Sequence, residues 1–343
     1  EGADPVSLTT TLPPALASLQ TSSQIFNFAD AVPPSLHRLI LPRGTINSFP
    51  SLLGRELREL QLFVSHNEDL SFLSLATVLE KLVLQYPYSV NLLPTTAIFP
   101  PTLTHLDVAA VITEDQLRRL PPKLTLLSCF LTHALPHDAI RLLPRTLKTI
   151  IFHRAWPSNP VLASYDTHLS ELPPSLTIWS DRLHKSFQSG DARMLPRSIK
   201  SIGGMPHVLV RDLPDLPSTF DKLTIPAEES IVDAIPLLPI HLTSLEYEGE
   251  KELPPKSFAL LPRQLLILCM NSQTCITDED IATLPRSLLD LSLIRAGKLT
   301  DLAFQHLPRC LRTLVLRGSD SLTNSAVAYL PSSLTLLQVR RSS

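Results

Sequence analysis

Leucines recur along the chain in the order Leu-Pro-x-x-Leu-x-x-Leu-x-Leu, with mostly polar residues between them. Full copies are Leu284-Pro285-Arg286-Ser287-Leu288-Leu289-Asp290-Leu291-Ser292-Leu293 and Leu307-Pro308-Arg309-Cys310-Leu311-Arg312-Thr313-Leu314-Val315-Leu316. The proline place falls at 13, 33, 54, 76, 100, 121, 144, 173, 196, 217, 239, 262, 285, 308 and 331, with Gly54 and Ala76 as the two substitutes. The spacing averages about 23 residues, so fifteen repeats run from Leu12 to Val339. The last leucines of each phrase alternate in and out, which predicts a short strand with its leucines facing a core. A turn and a helical stretch follow. Thr113, Thr277, Thr300 and Thr323 stand eight residues before the next anchor and suit helix N-caps. Thr113 and Gln116 have capping-box spacing. Pro136 and Pro254 hold that place in two other repeats, as expected near a first helical turn. The next Leu-Pro ends the helix, because proline disfavours helix in the residue before it. One strand and one short helix cannot bury both apolar faces alone, so stacked neighbours must share a core beneath a parallel sheet.

Composition agrees with this period. The 343 residues include 68 leucines and 32 prolines but only 9 glycines. Leucine fills the inward ladder, proline punctuates it, and few glycines remain for phosphate loops. Hydrophobic residues at 44% and charged ones at 18% exclude disorder. No apolar run reaches the ~18 residues that membrane insertion needs. The formal net charge of −2 gives no general attraction to nucleic acid or anionic lipid. Cys129, Cys269, Cys275 and Cys310 are scattered, without a Cys-x-x-Cys pair, and there is no Asn-x-Ser/Thr sequon. Both favour an intracellular, cytoplasmic home. The chain opens on Glu1 rather than Met, so a processed N-terminus, and with it secretion, stays open.

The whole stretch resembles the leucine-rich-repeat family, and two of its branches in particular. Cys275-Ile276-Thr277-Asp278, Leu299-Thr300-Asp301 and Leu322-Thr323-Asn324 are similar to the helix starts of the cysteine-containing repeats of F-box proteins. Leu172-Pro173-Pro174-Ser175-Leu176 resembles the FNIP-type repeats of amoebae, whose further hallmark survives only as Phe26-Asn27. The family's usual Asn or Cys after the strand is replaced by Gln273, Ala296 and Ser319, so the turns must satisfy their backbone groups otherwise. The resemblance implies an α/β solenoid or horseshoe: a single domain over 1–343, with a parallel concave sheet and short convex helices. It implies protein partners and, through the F-box branch, a substrate receptor of a ubiquitin ligase. That role needs an F-box helix bundle, which these residues do not contain.

Regularity is strict over about 254–339 and breaks over about 150–235. The longest step inserts about six residues around Ala155 to Pro160. Trp179 and Asp181 stand where core leucines are expected, and Gly203-Gly204 replaces strand residues. The insert reads as drift, with a tryptophan filling a local gap, or as a binding loop on a rigid scaffold. At the far end, the last strand is followed by Arg340-Arg341-Ser342-Ser343, with no cysteine-bounded cap. An uncapped end predicts a longer native chain or packing against a partner or another copy.

Neither phosphate-loop glycines nor a nucleophile elbow occurs. His133 and Pro136-His137 have metal-pair spacing, but the proline breaks helical phase and the accompanying glutamate is missing. Cys129 falls on an inward position and reads as a buried thiol. Cys269 falls outward. The run from Glu246 to Glu250 reads as a solvated face. No catalytic residue, cofactor or metal is expected. The candidate partner site is the outward side of the strands, about 70 Å long at roughly 4.8 Å per strand. It comprises Arg38, Glu59, Phe63, Lys81, Tyr86, His105, Asp107, Phe130, His153, Arg182, Glu246, Glu248, Arg295, Arg317 and Arg340, rich in the aromatic and arginine residues that anchor interfaces. Two functions are carried forward: a non-enzymatic protein-recognition module, and a structural subunit that assembles through its uncapped ends.

Overall fold

The computed structural model describes residues 13–20, 33–41, 56–64, 69–86, 92–131, 137–154, 169–181, 190–203, 210–225, 229–249, 253–254, 256–271 and 276–340. The chain clusters into two compact units, Glu1–Leu183 and His184–Ser343. Their boundary falls inside the stretch where the repeat loses its regularity.

In the first unit, eight parallel strands follow in chain order: β1 (Ser18–Gln20), β2 (Arg38–Leu41), β3 (Glu59–Phe63), β4 (Lys81–Gln85), β5 (His105–Val111), β6 (Leu126–Leu131), β7 (Thr149–Arg154) and β8 (Ile178–Asp181). The second unit holds β9 (Ser201–Gly203), β10 (Lys222–Ile225), β11 (Ser244–Tyr247), β12 (Ile267–Met270), β13 (Asp290–Ile294), β14 (Thr313–Arg317) and β15 (Leu336–Arg340), also parallel and in order. Every one of these strands opens five residues after its anchor, including those that follow Gly54 and Ala76.

The anchor has a more specific role than ending a helix. Its carbonyl accepts from the N–H three residues on, as in Leu288 N to Pro285 O (3.2 Å) and Leu311 N to Pro308 O (3.1 Å). It therefore opens a β-turn that swings the chain into the strand. The residue that closes the turn is buried: Leu288 and Leu311 are each 0% exposed. Next in phase come the strand leucines. Leu268, Leu291, Leu314 and Leu337 lie abreast in register, and the first three are buried. Burial of one such side chain contributes about 1.5–3 kcal/mol, repeated at every step of the ladder.

A hydroxyl two residues past the anchor joins neighbouring repeats. Ser287 Oγ donates to the carbonyls of Arg263 and Leu265, both at 2.7 Å. Ser35, Thr146, Ser175, Thr219 and Ser333 each reach two carbonyls of the preceding repeat in the same way. At Cys310 a thiol takes over, 3.0 Å from Arg286 O and 3.3 Å from Leu288 O. The turns beyond the strands, where Gln273, Ala296 and Ser319 stand in place of an asparagine, pair by main chain at β13 and β14. Arg295 N and Ala296 N donate to Arg317 O, and Gly318 N donates to Arg340 O. Replacing Ser287 by Ala should cost about 1 kcal/mol, because the part-buried Leu265 carbonyl loses its donor while the Arg263 carbonyl is open to water. Ser287→Cys should recover part of it. Thermal unfolding of the two variants checks this, and a neutral Ser287→Ala would show that the ladder carries no stability.

The helical pieces are single turns. The α-helical turns among the described residues are α1 (Glu114–Leu117), α2 (His137–Arg141), α3 (Asp191–Met194), α4 (Ile231–Ala234) and α5 (Asp278–Ala282). Several other repeats use a 3-10 turn, among them Asp301–His306 and Asn324–Tyr329. All four predicted threonine caps precede such a turn. Gln116 Oε1 accepts from Thr113 N at 2.9 Å, and Thr300 Oγ1 and Thr323 Oγ1 accept from the N–H groups of Leu302 and Ser325. The aspartates that follow Thr277 and Thr300 serve the next repeat. Asp278 accepts from Thr300 N and Oγ1, and Asp301 accepts from Thr323 N and Oγ1. The Thr323 hydroxyl, then its N–H, hold the Asp301 carboxyl below the usual carboxylate range.

Two irregular positions are resolved by size. Trp179 lies in register with Ile150 and is 4% exposed, so the large ring occupies a leucine place in the core. Tyr247, fully buried, fills another. A side chain at Gly249 would collide with the Tyr247 ring, so glycine there follows from tyrosine two residues earlier. The inserted segment around Trp156, Asp181's side chain and Gly204 lie outside the described residues.

Candidate functional site

The strands position the candidate residues through their alternation. Residues six and eight past each anchor point inward, and those five, seven and nine past it point outward. In the first unit the innermost outward column is Arg38, Glu59, Lys81 and His105, joined in register across β2 to β5. The Glu59 carboxylate lies 3.3 Å from Arg38 Nε and 3.9 Å from Lys81 Nζ, so it separates the two cations of this column. All four side chains are partly or fully exposed, and such pairs stabilise by less than about 1 kcal/mol each.

Asp107 is exposed in the middle column, beside the buried Ser128. In the outermost column Phe63 is half-buried abreast of Gln85. Phe130 and His153 lie abreast on β6 and β7, with ring centroids 5.1 Å apart and planes inclined by 33°. A bulge in β5 between Val108 and Val111 shifts the register there and sets Val111 against Phe130. Ser128 Oγ and His153 Nε2 are 3.4 Å apart. That is a long hydrogen bond, and Asp107 adjoins Ser128, not His153, in register, so no third group orients the imidazole from that strand.

One expectation is corrected. Tyr86 is only 9% exposed and belongs to the core. It shares the parity of Leu82 and Leu84, and its counterparts Val64 and Leu131 are buried too. Period two carries on past the end of the strand, so a residue ten places beyond the anchor turns inward. Arg295 sits at that same place but is exposed, because its backbone enters the left-handed region (φ 63°) and breaks the alternation. Arg182 lies outside the described residues, as do Cys275, His133 and the side chain of His137.

In the second unit Glu246 and Cys269 lie abreast, and Asp290 is in register with Ile267 on the neighbouring strand. Glu248 is half-buried just beyond β11. Burial, then the charges of Glu246 and Asp290, push the Cys269 thiol up. It stays protonated at neutral pH and is a poor nucleophile. Cys129, by contrast, is fully buried, as its inward position requires. Arg317 and Arg340 lie abreast on β14 and β15, both exposed. Ser128 and Cys269 belong to the same outward columns but were not among the predicted partner residues. Their places in the repeat are the signal that finds them. Among the described residues no three of His, Cys, Asp and Glu cluster to hold a metal ion, and no helix is long and apolar enough to cross a membrane.

No family model matches the chain, and no curated protein matches it in sequence. Solved structures do resemble it. CroV588, a circular leucine-rich-repeat protein, is 20% identical over 96% of this chain with a TM-score of 0.47, and this chain spans 57% of its length. The leucine-rich-repeat protein LIC12759 of Leptospira interrogans is 16% identical, with a TM-score of 0.58, over 89% of this chain and 86% of its own. With fifteen parallel strands each set five residues past a repeat anchor, the fold is an α/β leucine-rich-repeat solenoid.

Proposed function

We propose that the chain is a protein-recognition module with no enzymatic activity of its own, and that it binds a macromolecular partner through the outward side of its strands. The observation that carries this reading is the contrast between columns. The inward position six residues past each anchor holds leucine in most repeats and an apolar residue in all of them, whereas the outward positions vary from strand to strand in charge and aromatic character. A rigid ladder presenting a varied face suits recognition. The partner is a protein rather than nucleic acid, in keeping with a net charge of −2. The likeness of Ile276-Thr277-Asp278 to the F-box branch extends the reading to a substrate receptor of an intracellular ubiquitin ligase.

The test is affinity capture with the full chain, followed by rebinding of each purified candidate. Phe130→Ala and His105→Glu should each weaken a true partner at least tenfold. Arg118→Glu, on the helical side of its repeat, should leave affinity unchanged. Equal losses from all three variants would defeat the reading.

A second reading, assembly through the end of the ladder, rests on β15. Leu337 and Val339 are each 42% exposed, although the same register positions on β14, Leu314 and Leu316, are buried. That apolar face suits a further repeat or another chain. Light scattering over a hundredfold concentration range distinguishes the two readings. Self-association abolished by Leu337→Glu supports assembly, and a monomer throughout removes it.

A further inference from the structure

We infer that Arg317 and Arg340 form a docking row for an acidic, extended segment of the partner protein, whose successive carboxylates they receive. The inference deepens the recognition reading above and rests on it. The two arginines lie at one register position on adjacent strands, and both are exposed. Strands stand roughly 4.8 Å apart, and like charges set directly abreast repel.

Elsewhere the chain removes such repulsion between repeats. Glu59 sits between Arg38 and Lys81, Arg58 pairs with Glu80, Arg141 with Glu171, and Arg193 with Asp215. Among the described residues no ion pair reaches Arg317 or Arg340. The nearby carboxylates are committed or displaced: Asp301 serves Thr323, Asp320 is engaged as well, and Asp290 lies at the opposite edge of the face. Gln338, with its amide oriented to suit, accepts from Arg340 Nε at 3.0 Å and Nη2 at 3.1 Å. That holds the guanidinium in place and leaves its charge uncompensated.

The row is open and linear, on a sheet face. A phosphate is held by donors that converge, often backbone N–H groups in a nest. Here the donors stand side by side at strand spacing, which fits separate carboxylates in succession, each able to take a guanidinium fork. The exposed Arg295 lies one repeat earlier, beside Ile294, the register neighbour of Arg317. Two repeats before Arg295 the face is acidic at Glu246 and Glu248. An acidic segment is therefore attracted over β14 and β15 and repelled at β11, which fixes where it lies.

The experiment uses the full chain and a fluorescent ten-residue peptide of alternating Glu and Gly, with anisotropy read at low and physiological salt. Saturable, salt-sensitive binding is expected. It should fall at least tenfold for Arg317→Glu/Arg340→Glu and by less for Arg317→Gln/Arg340→Gln. The Glu variant should acquire binding to the matching Lys-Gly peptide, a gain that a misfolded variant cannot give. Absence of saturable binding, or equal affinity in the variants, overturns the inference. So does tighter binding of a phosphoserine peptide, or a concentration-dependent dimer of the chain lost on charge reversal. If the acidic peptide fails while Phe130→Ala still weakens a captured partner, this inference falls and the recognition reading stands. If neither responds, the recognition reading falls as well.

Discussion

Leu314→Ala should lower the unfolding free energy by about 2–5 kcal/mol, and Leu291→Ala by a similar amount. Leu314 is fully buried and Leu291 is 1% exposed. Each has a register neighbour on both sides in the row from Leu268 to Leu337. Strand hydrogen bonds fix the spacing of that row, so neighbours cannot collapse into the cavity. Leu337→Ala is the internal control: the same register position, but 42% exposed, should cost about 1 kcal/mol. Urea midpoints at unchanged slope measure the differences. Because repeat arrays can unfold in parts, amide exchange in β13 and β14 should be read beside them. A Leu291→Ala/Leu314→Ala protein of undiminished stability would mean the strand register is wrong.

The second large effect is expected at Asp280. This carboxylate is 6% exposed and accepts from Lys256 N at 2.6 Å, Thr277 N at 3.0 Å and Thr277 Oγ1 at 2.9 Å. It closes the cap of its own helix and fixes the preceding repeat at Lys256, whose backbone is left-handed (φ 67°). Alanine there strands two backbone donors and should cost about 2–4 kcal/mol, since bonds to a charged acceptor contribute about 1.5–3 kcal/mol and an unmet buried donor adds its desolvation. Asn keeps one acceptor oxygen and should restore about half. Chemical denaturation of both variants tests this. Equal stability of Asp280→Ala and the parent would show that Lys256 finds another acceptor.

Most of the fold was legible in the sequence because each repeat states it again. The anchor, the turn-closing leucine and the strand leucines set the register even where Gly54 and Ala76 replace proline. The threonine caps were legible for the same reason. The links between repeats were not, because a Ser or Thr within a strand-forming phrase looks like any polar residue. Only the coordinates bring Ser287 to the carbonyls of Arg263 and Leu265, 24 and 22 residues back. At the candidate face, the outward columns followed from period two. The error at Tyr86 came from ending that period with the strand, whereas the backbone keeps it until a left-handed residue such as Arg295 intervenes. The charge balance of each column depends on which residues stand abreast, and steps of unequal length conceal that in the linear sequence.

The hydroxyl ladder has a consequence for how such a chain changes length. Each hydroxyl is matched by main-chain carbonyls of the repeat before it, groups that every amino acid supplies. Through this ladder a repeat makes no demand on the identity of its neighbour, unlike the Asp278–Thr300 and Asp301–Thr323 links. Duplication or loss of one whole unit leaves each remaining hydroxyl junction chemically equivalent, provided the cut falls at the same place in two anchors. Genetic lengthening or shortening by about 23 residues should be tolerated far better than a change of a few residues within a unit. The outward columns then inherit a new order of side chains without any redesign of the core.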